Sequence, residues 1–148
     1  MLIPLIIGFQ LNIYNPNLFL IAADQQYVSV RGYAKVVSGN QMQRLKESSQ
    51  GSIPLEGAEV IAVSGSVKTI NGKPFIPLKQ ISSRIARSKT DKSGSFKFTL
   101  KPGLYTFFLV IDDKAYLNSF DGKGFFMGTT IRSPDNDLLL LDDRNAIY

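Results

Sequence analysis

Cysteine, histidine and tryptophan are all missing from this chain of 148 residues. Without cysteine there are no disulfides, no thiolate metal sites and no thiol nucleophile. Without histidine the commonest general base near neutral pH is gone, and with it a leading transition-metal ligand. Zinc enzymes and Ser-His-Asp hydrolases are therefore excluded. Carboxylate-only chemistry survives, with twelve Asp and Glu to draw on. The lack of tryptophan weakens any platform for stacking on sugar rings. Nor does any stretch hold helical periodicity over three turns. The expectation is a non-enzymatic β protein with no cofactor and no metal.

The chain carries 44% hydrophobic and 20% charged residues, an ordinary globular balance that suits one domain with its own core. The net charge of +5 is unevenly spread: residues 31–101 hold 13 Lys/Arg against 4 Asp/Glu, and residues 102–148 hold 4 against 7. The basic residues are scattered and form no dense cluster, which fits solvated strand positions that discourage edge aggregation. No nucleic-acid partner is expected.

Residues 1–23 are uncharged and largely apolar, ending at Asp24 with Ala22-Ala23 just before it. Small residues there suit a signal peptidase. Asn12, Asn15, Pro16 and Asn17 interrupt the run, so it makes a poor membrane span. An export signal and an apolar segment packed on the domain or a partner are the two readings, the first preferred.

From Tyr27 onward the pattern is strand and turn. The most legible stretch is Thr90 to Tyr105. Asp91 to Gly94 forms a polar turn, and Phe96, Phe98 and Leu100 then alternate with Ser95, Lys97 and Thr99 as a half-buried strand. Pro102-Gly103 turns the chain again, and Leu104 to Ile111 is apolar nearly throughout, the mark of a strand covered on both faces. Further strands are expected at Tyr27–Val37, Ala58–Val63, Ile81–Thr90, Ala115–Phe120, Phe125–Arg132 and Leu138–Leu141. Residues 38–52 read as a loop, and Asn71-Gly72 as a hairpin turn between Val67–Ile70 and Pro74–Ile76. Short strands with regular turn signals predict an all-β sandwich, with residues 27–148 as its single domain.

Four pieces in order carry a resemblance: Val30-Arg31-Gly32, Pro54 to Val60, Thr90 to Phe96, and Leu100 to Tyr105. Together they resemble the carboxypeptidase regulatory-like domains of the prealbumin-like class, alongside transthyretin-like and Cna B-type modules, over residues 27–117. The resemblance implies a Greek-key sandwich of about seven strands. It also implies an exported or cell-surface bacterial setting, with a role as spacer, assembly element or binding module. The hydroxyisourate hydrolases of this class depend on histidine, which is absent here. Cna B-type domains often form a Lys–Asn isopeptide bond beside a buried carboxyl. Lys35 with Asn136 or Asn145, and Glu56 or Glu59 as the acid, are the residues to which that would transfer.

Other constellations are weaker. Asp112, Asp113, Asn118 and Asp121 offer oxygen ligands, but lack EF-hand spacing and read as polar turn residues. Aromatic residues are dense between 105 and 126, and adjacent pairs must point to opposite faces. Phe108, Tyr116, Phe120 and Phe126 are thus candidates for a partner or ligand surface, or for packing beneath loops. The functional expectation is an exported module for protein interaction or structural support, acting through edge strands or end loops. The alternative is a carbohydrate-binding module, so the partner is a protein or a polysaccharide.

Export makes one prediction: N-terminal sequencing of the secreted, cell-made product should begin at about Asp24. A mature chain that retains residues 1–23 would remove the leader reading.

Overall fold

The computed structural model describes residues 26–40 and 52–147. They form two sheets facing each other, an all-β sandwich. The expected leader, residues 1–23, lies outside the described residues.

The first sheet is built on β1 (Val28–Asn40). One side of β1 pairs in parallel with β10 (Asp135–Ile147). Its other side is shared by β6 (Ser95–Leu100) and the short β2 (Ser52–Pro54), both antiparallel. The second sheet runs β4 (Phe75–Pro77), β8 (Lys114–Tyr116), β7 (Gly103–Ile111), β3 (Glu59–Ser64) and β5 (Ile85–Lys89). β9 (Thr129–Ile131) pairs with the start of β7, beside the stretch that β8 occupies further along.

Two apolar clusters explain the sequence patterns. Between the sheets lie Val30, Ala34, Phe96, Phe98, Leu100 and Leu140 from the first sheet, against Val60, Ala62, Phe107, Leu109 and Ile131 from the second. Phe98 and Phe107 meet across this layer with ring centroids 5.8 Å apart. The outer face of the second sheet is also covered. Ile61, Val63, Phe108, Ile76 and Ala115 pack there under Val67, Phe126 and the partly buried Leu78, Ile81, Leu117 and Phe120. β3 and β7 are therefore dry on both faces, which accounts for their unbroken apolar runs. β6 is covered on one face only, and it alternates.

Two glycines permit the closest approaches. At Gly32 in β1 a Cβ would lie 2.4 Å from the Phe96 ring and 2.7 Å from the Leu138 carbonyl oxygen, so only hydrogen fits beneath that ring. Gly94 has φ of 79° and closes the turn after Asp91. Its carbonyl accepts from the Ala34 amide at 2.8 Å, and a Cβ there would meet the Ala34 oxygen at 2.5 Å. Asp91 Oδ1 completes the turn by accepting from Ser93 N at 2.9 Å and Ser95 N at 3.0 Å. These bonds hold its carboxyl below the usual carboxylate range, the Ser93 side-chain bond foremost. Thr90, buried beside it, accepts the Ala58 amide on Oγ1 at 2.8 Å and ties the turn at Glu56-Gly57 to the same point.

The structure corrects several expected elements. Asn71 and Gly72 do form a tight turn, both with positive φ, but the flanking segments do not pair with each other. Phe75–Pro77 instead joins β8, and Lys68 bridges to Phe125. β8 ends at Tyr116 and β9 begins at Thr129, because the chain between them folds over the outer face, where it buries Phe126. β10 is 13 residues long where a four-residue strand was expected. Its polar half, Asp142 to Asn145, continues the parallel ladder with β1.

Gly94→Ala should therefore destabilise the domain. Left-handed strain costs about 1 kcal/mol, and displacement of the Ala34 contact adds about 1–3 kcal/mol. Thermal melting should show a midpoint lowered by at least several degrees, whereas a midpoint unchanged within a degree would refute the role given to this turn.

Candidate binding site

The buried polar groups come first, since they are costly unless paired. Asp142 and Asp143, adjacent on β10, are each only 9% exposed. Asp142 receives a two-pronged ion pair from Arg144, with Nε to Oδ1 at 2.7 Å and Nη2 to Oδ2 at 2.9 Å. That pairing holds the Asp142 carboxyl below its ordinary range. Asp143 accepts from the Tyr116 hydroxyl at 2.5 Å and from Asn118 Nδ2 at 3.1 Å. Tyr116 belongs to the second sheet and Asp143 to the first, so these bonds latch the two sheets together. Burial, then the hydrogen bond to Asp143 and its charge, push the Tyr116 phenol well above its ordinary value. The latch is satisfied internally and offers no spare catalytic group.

A cleft opens elsewhere, at the corner where the chain passes from β6 to β7. Its volume is about 410 Å³, and its walls are Tyr27, Ser64, Arg84, Thr99, Lys101 and Tyr105. The floor is formed by Ala62, Ala86 and Leu100. Ala62 and Ala86 stand directly opposite each other on β3 and β5. Both side chains are a single carbon, so neither projects far into the cleft. The Tyr105 hydroxyl donates to the Lys101 carbonyl at 2.7 Å, bracing the Pro102-Gly103 corner in the manner of a tyrosine corner. Tyr27 leaves 61% of its surface exposed, with Lys101 Nζ 5.8 Å from its ring centroid. The cleft thus combines tyrosine rings, hydroxyls and two cations, with no carboxylate in its lining among the described residues.

The sequence candidates fall elsewhere. Phe108, Tyr116 and Phe126 are 0%, 2% and 1% exposed, and Phe120 stacks on Phe126 at 5.7 Å. Phe108, Phe120 and Phe126 pack together on the outer face of the second sheet and Tyr116 points to Asp143 of the first, so the reading of these four as a ligand surface is replaced by packing. In the ladder Lys35 stands opposite neither Asn136 nor Asn145, the latter registering with Ser38. Lys35 registers with Leu141 on β10, several residues along the ladder from Asn136, which lies near the Val30–Asp135 pair. Lys35 follows the inward Ala34 and so sits on the outer face of the first sheet. Glu59 precedes the inward Val60 and lies on the outer face of the second, paired with Arg87. Asp121 accepts the Lys123 and Phe125 amides within its own turn. Among the described residues no cluster of three or more acidic groups is placed to hold a metal ion. Nor is any helix among them long and apolar enough to cross a membrane.

No family model matches the sequence, and neither does any curated protein. Among solved structures, the chain is similar to a putative carbohydrate binding protein from Pseudomonas aeruginosa. That likeness has 15% identity and a TM-score of 0.43, over 86% of this chain and 97% of the other. It is a distant likeness.

The latch makes its own prediction. Tyr116→Phe removes a donor from a buried carboxylate and should cost about 1–3 kcal/mol at neutral pH. The native state favours the protonated phenol, so its contribution is full below pH 10.0, the ordinary tyrosine value, and is lost as pH rises beyond it. Denaturant melts should show an alkaline loss of stability in the parent that is smaller in Tyr116→Phe. An identical alkaline limb in the two proteins would contradict the latch.

Proposed function

We propose that this protein is a non-enzymatic carbohydrate-binding module that holds a polysaccharide segment in the cleft between β5, β6 and β7. The observation that carries the reading is the make-up of that cleft. An exposed tyrosine ring supplies an apolar face for a sugar, and hydroxyls and cations around it supply directional polar contacts. Binding sites for small ligands commonly combine a concave apolar surface with a few placed polar groups. Catalysis is left out of the reading because the lining, among the described residues, holds no acid to act as general acid or base. Export and a place among the prealbumin-like sandwich modules belong to the same proposal. They rest on the uncharged stretch of residues 1–23 and on the ordered turn motifs.

A second reading has an observation of its own. β10 pairs with β1 alone among the described residues, and no lysine or proline blunts the edge between Leu138 and Ile147. Beside it Tyr33 and Leu139 stand in register, 47% and 54% exposed. An extended segment of a protein partner adding to this edge would act through main-chain hydrogen bonds.

The carbohydrate reading is tested with immobilised polysaccharides, neutral and acidic, against three proteins. The parent should bind at least one of them. Tyr27→Ala should weaken that binding about tenfold, as loss of roughly 1–2 kcal/mol of ring contact would. Ala86→Leu should block it by filling the floor. Binding by the parent that neither substitution alters would move the site out of the cleft, and no binding at all would end the reading.

A further inference from the structure

The charges around the cleft are of one sign. Among the described residues Arg84 and Lys101 are the charged lining residues, and both are exposed to solvent. Among the described residues the ion pairs are Arg87 with Glu59 and Arg144 with Asp142, so neither cleft cation is neutralised by a carboxylate. Arg87, three residues from Arg84 on the same stretch, is by contrast matched by Glu59 on the neighbouring strand β3. Leaving Arg84 unmatched at the cleft mouth concentrates positive potential where a ligand would enter.

The neighbouring groups set what kind of anion would fit. The Tyr105 hydroxyl proton is committed to the Lys101 carbonyl, leaving that oxygen as an acceptor towards the cleft wall. Ser64 and Thr99 add hydroxyls that both give and accept, which suits a ligand rich in hydroxyl groups. A bare inorganic anion would make no use of the exposed Tyr27 ring, and a neutral sugar would offer the Arg84 guanidinium no charge to pair with. A guanidinium binds a planar carboxylate through two parallel hydrogen bonds.

Resting on the carbohydrate reading above, we propose that the ligand class is a uronate: a polysaccharide whose sugar rings carry carboxylates. A ring lies against Tyr27, and its carboxylate is held by Arg84 and Lys101.

The test compares oligosaccharides of galacturonate, glucuronate or mannuronate, each in native form and with its carboxyls reduced to alcohols. Calorimetric titration of the full chain should show at least one native uronate bound at least tenfold more tightly than its reduced form. That preference should weaken as salt rises. Arg84→Gln and Lys101→Gln should each lower affinity for the native uronate about 5–20-fold and leave the reduced form within about twofold. Lys114→Gln, a loss of positive charge at the far end of β7, should change neither. Equal binding of native and reduced sugars would overturn the uronate assignment while leaving the carbohydrate reading intact. Failure to bind any sugar in either form would overturn both. Binding of polyglutamate as tightly as a uronate of equal charge would overturn the assignment in favour of a general polyanion surface. Melting curves of the variants should superimpose on the parent, since both cations are exposed, so that a lost affinity reports on the site.

Discussion

Exclusion of water from both faces of the second sheet is the constraint on which the rest of this structure depends. A sandwich of two sheets ordinarily leaves each outer face wet, with polar residues alternating outward. Here β3 and β7 carry apolar residues at nearly every position, and half of them face away from the first sheet. Burying that outward half requires a third layer. The chain supplies it from segments on either side of β4, at Val67 and at Leu78 to Ile81, and from Leu117 to Phe126. These stretches are pinned by single bridges, Lys68 to Phe125 and Phe120 to Phe126, and by the edge-to-face contact of Phe108 with Phe126 at 4.9 Å. The aromatic density between residues 105 and 126 is thereby spent on packing.

The first sheet solves a different problem. Its outer face stays exposed, and its long edge strand β10 is tied down at a point where two aspartates are buried. Each has its own partner set. Asp142 uses Arg144 on the same strand, and Asp143 uses Tyr116 and Asn118 from the opposite sheet. Breaking a buried charge from its partner costs far more than the pair contributes when intact. The arrangement therefore favours this one register of β10 over slipped alternatives.

The cleft follows from these two solutions. The sheets are closed at the latch end and joined by the braced corner at Pro102-Gly103, and near that corner the alanine pair on β3 and β5 lines the cleft. A ligand site built this way sits on rigid strands, with one exposed tyrosine and two cations at its rim. No single residue in it looks unusual in the sequence. Tyr27, Arg84 and Lys101 are ordinary members of a basic, strand-rich stretch, and only their convergence gives them a common role. The one local hint was Tyr105, placed two residues after a Pro-Gly corner.

Local sequence decided the strands whose periodicity and turns are self-contained. The alternation of Ser95 to Leu100, the Asp91–Gly94 turn and the nearly all-apolar β7 are all fixed by side-chain chemistry within a few residues, and the fold has them as read. Tertiary structure decided the rest. β10 extends through Asp-Asp-Arg-Asn because distant partners, β1 alongside it and Tyr116 across the sandwich, satisfy groups that end a strand when considered alone. Adjacent aromatics must face opposite ways, which the sequence states. That both faces are dry, and that the cleft lies instead at an alanine pair, depends on what other segments cover, and no periodicity encodes that.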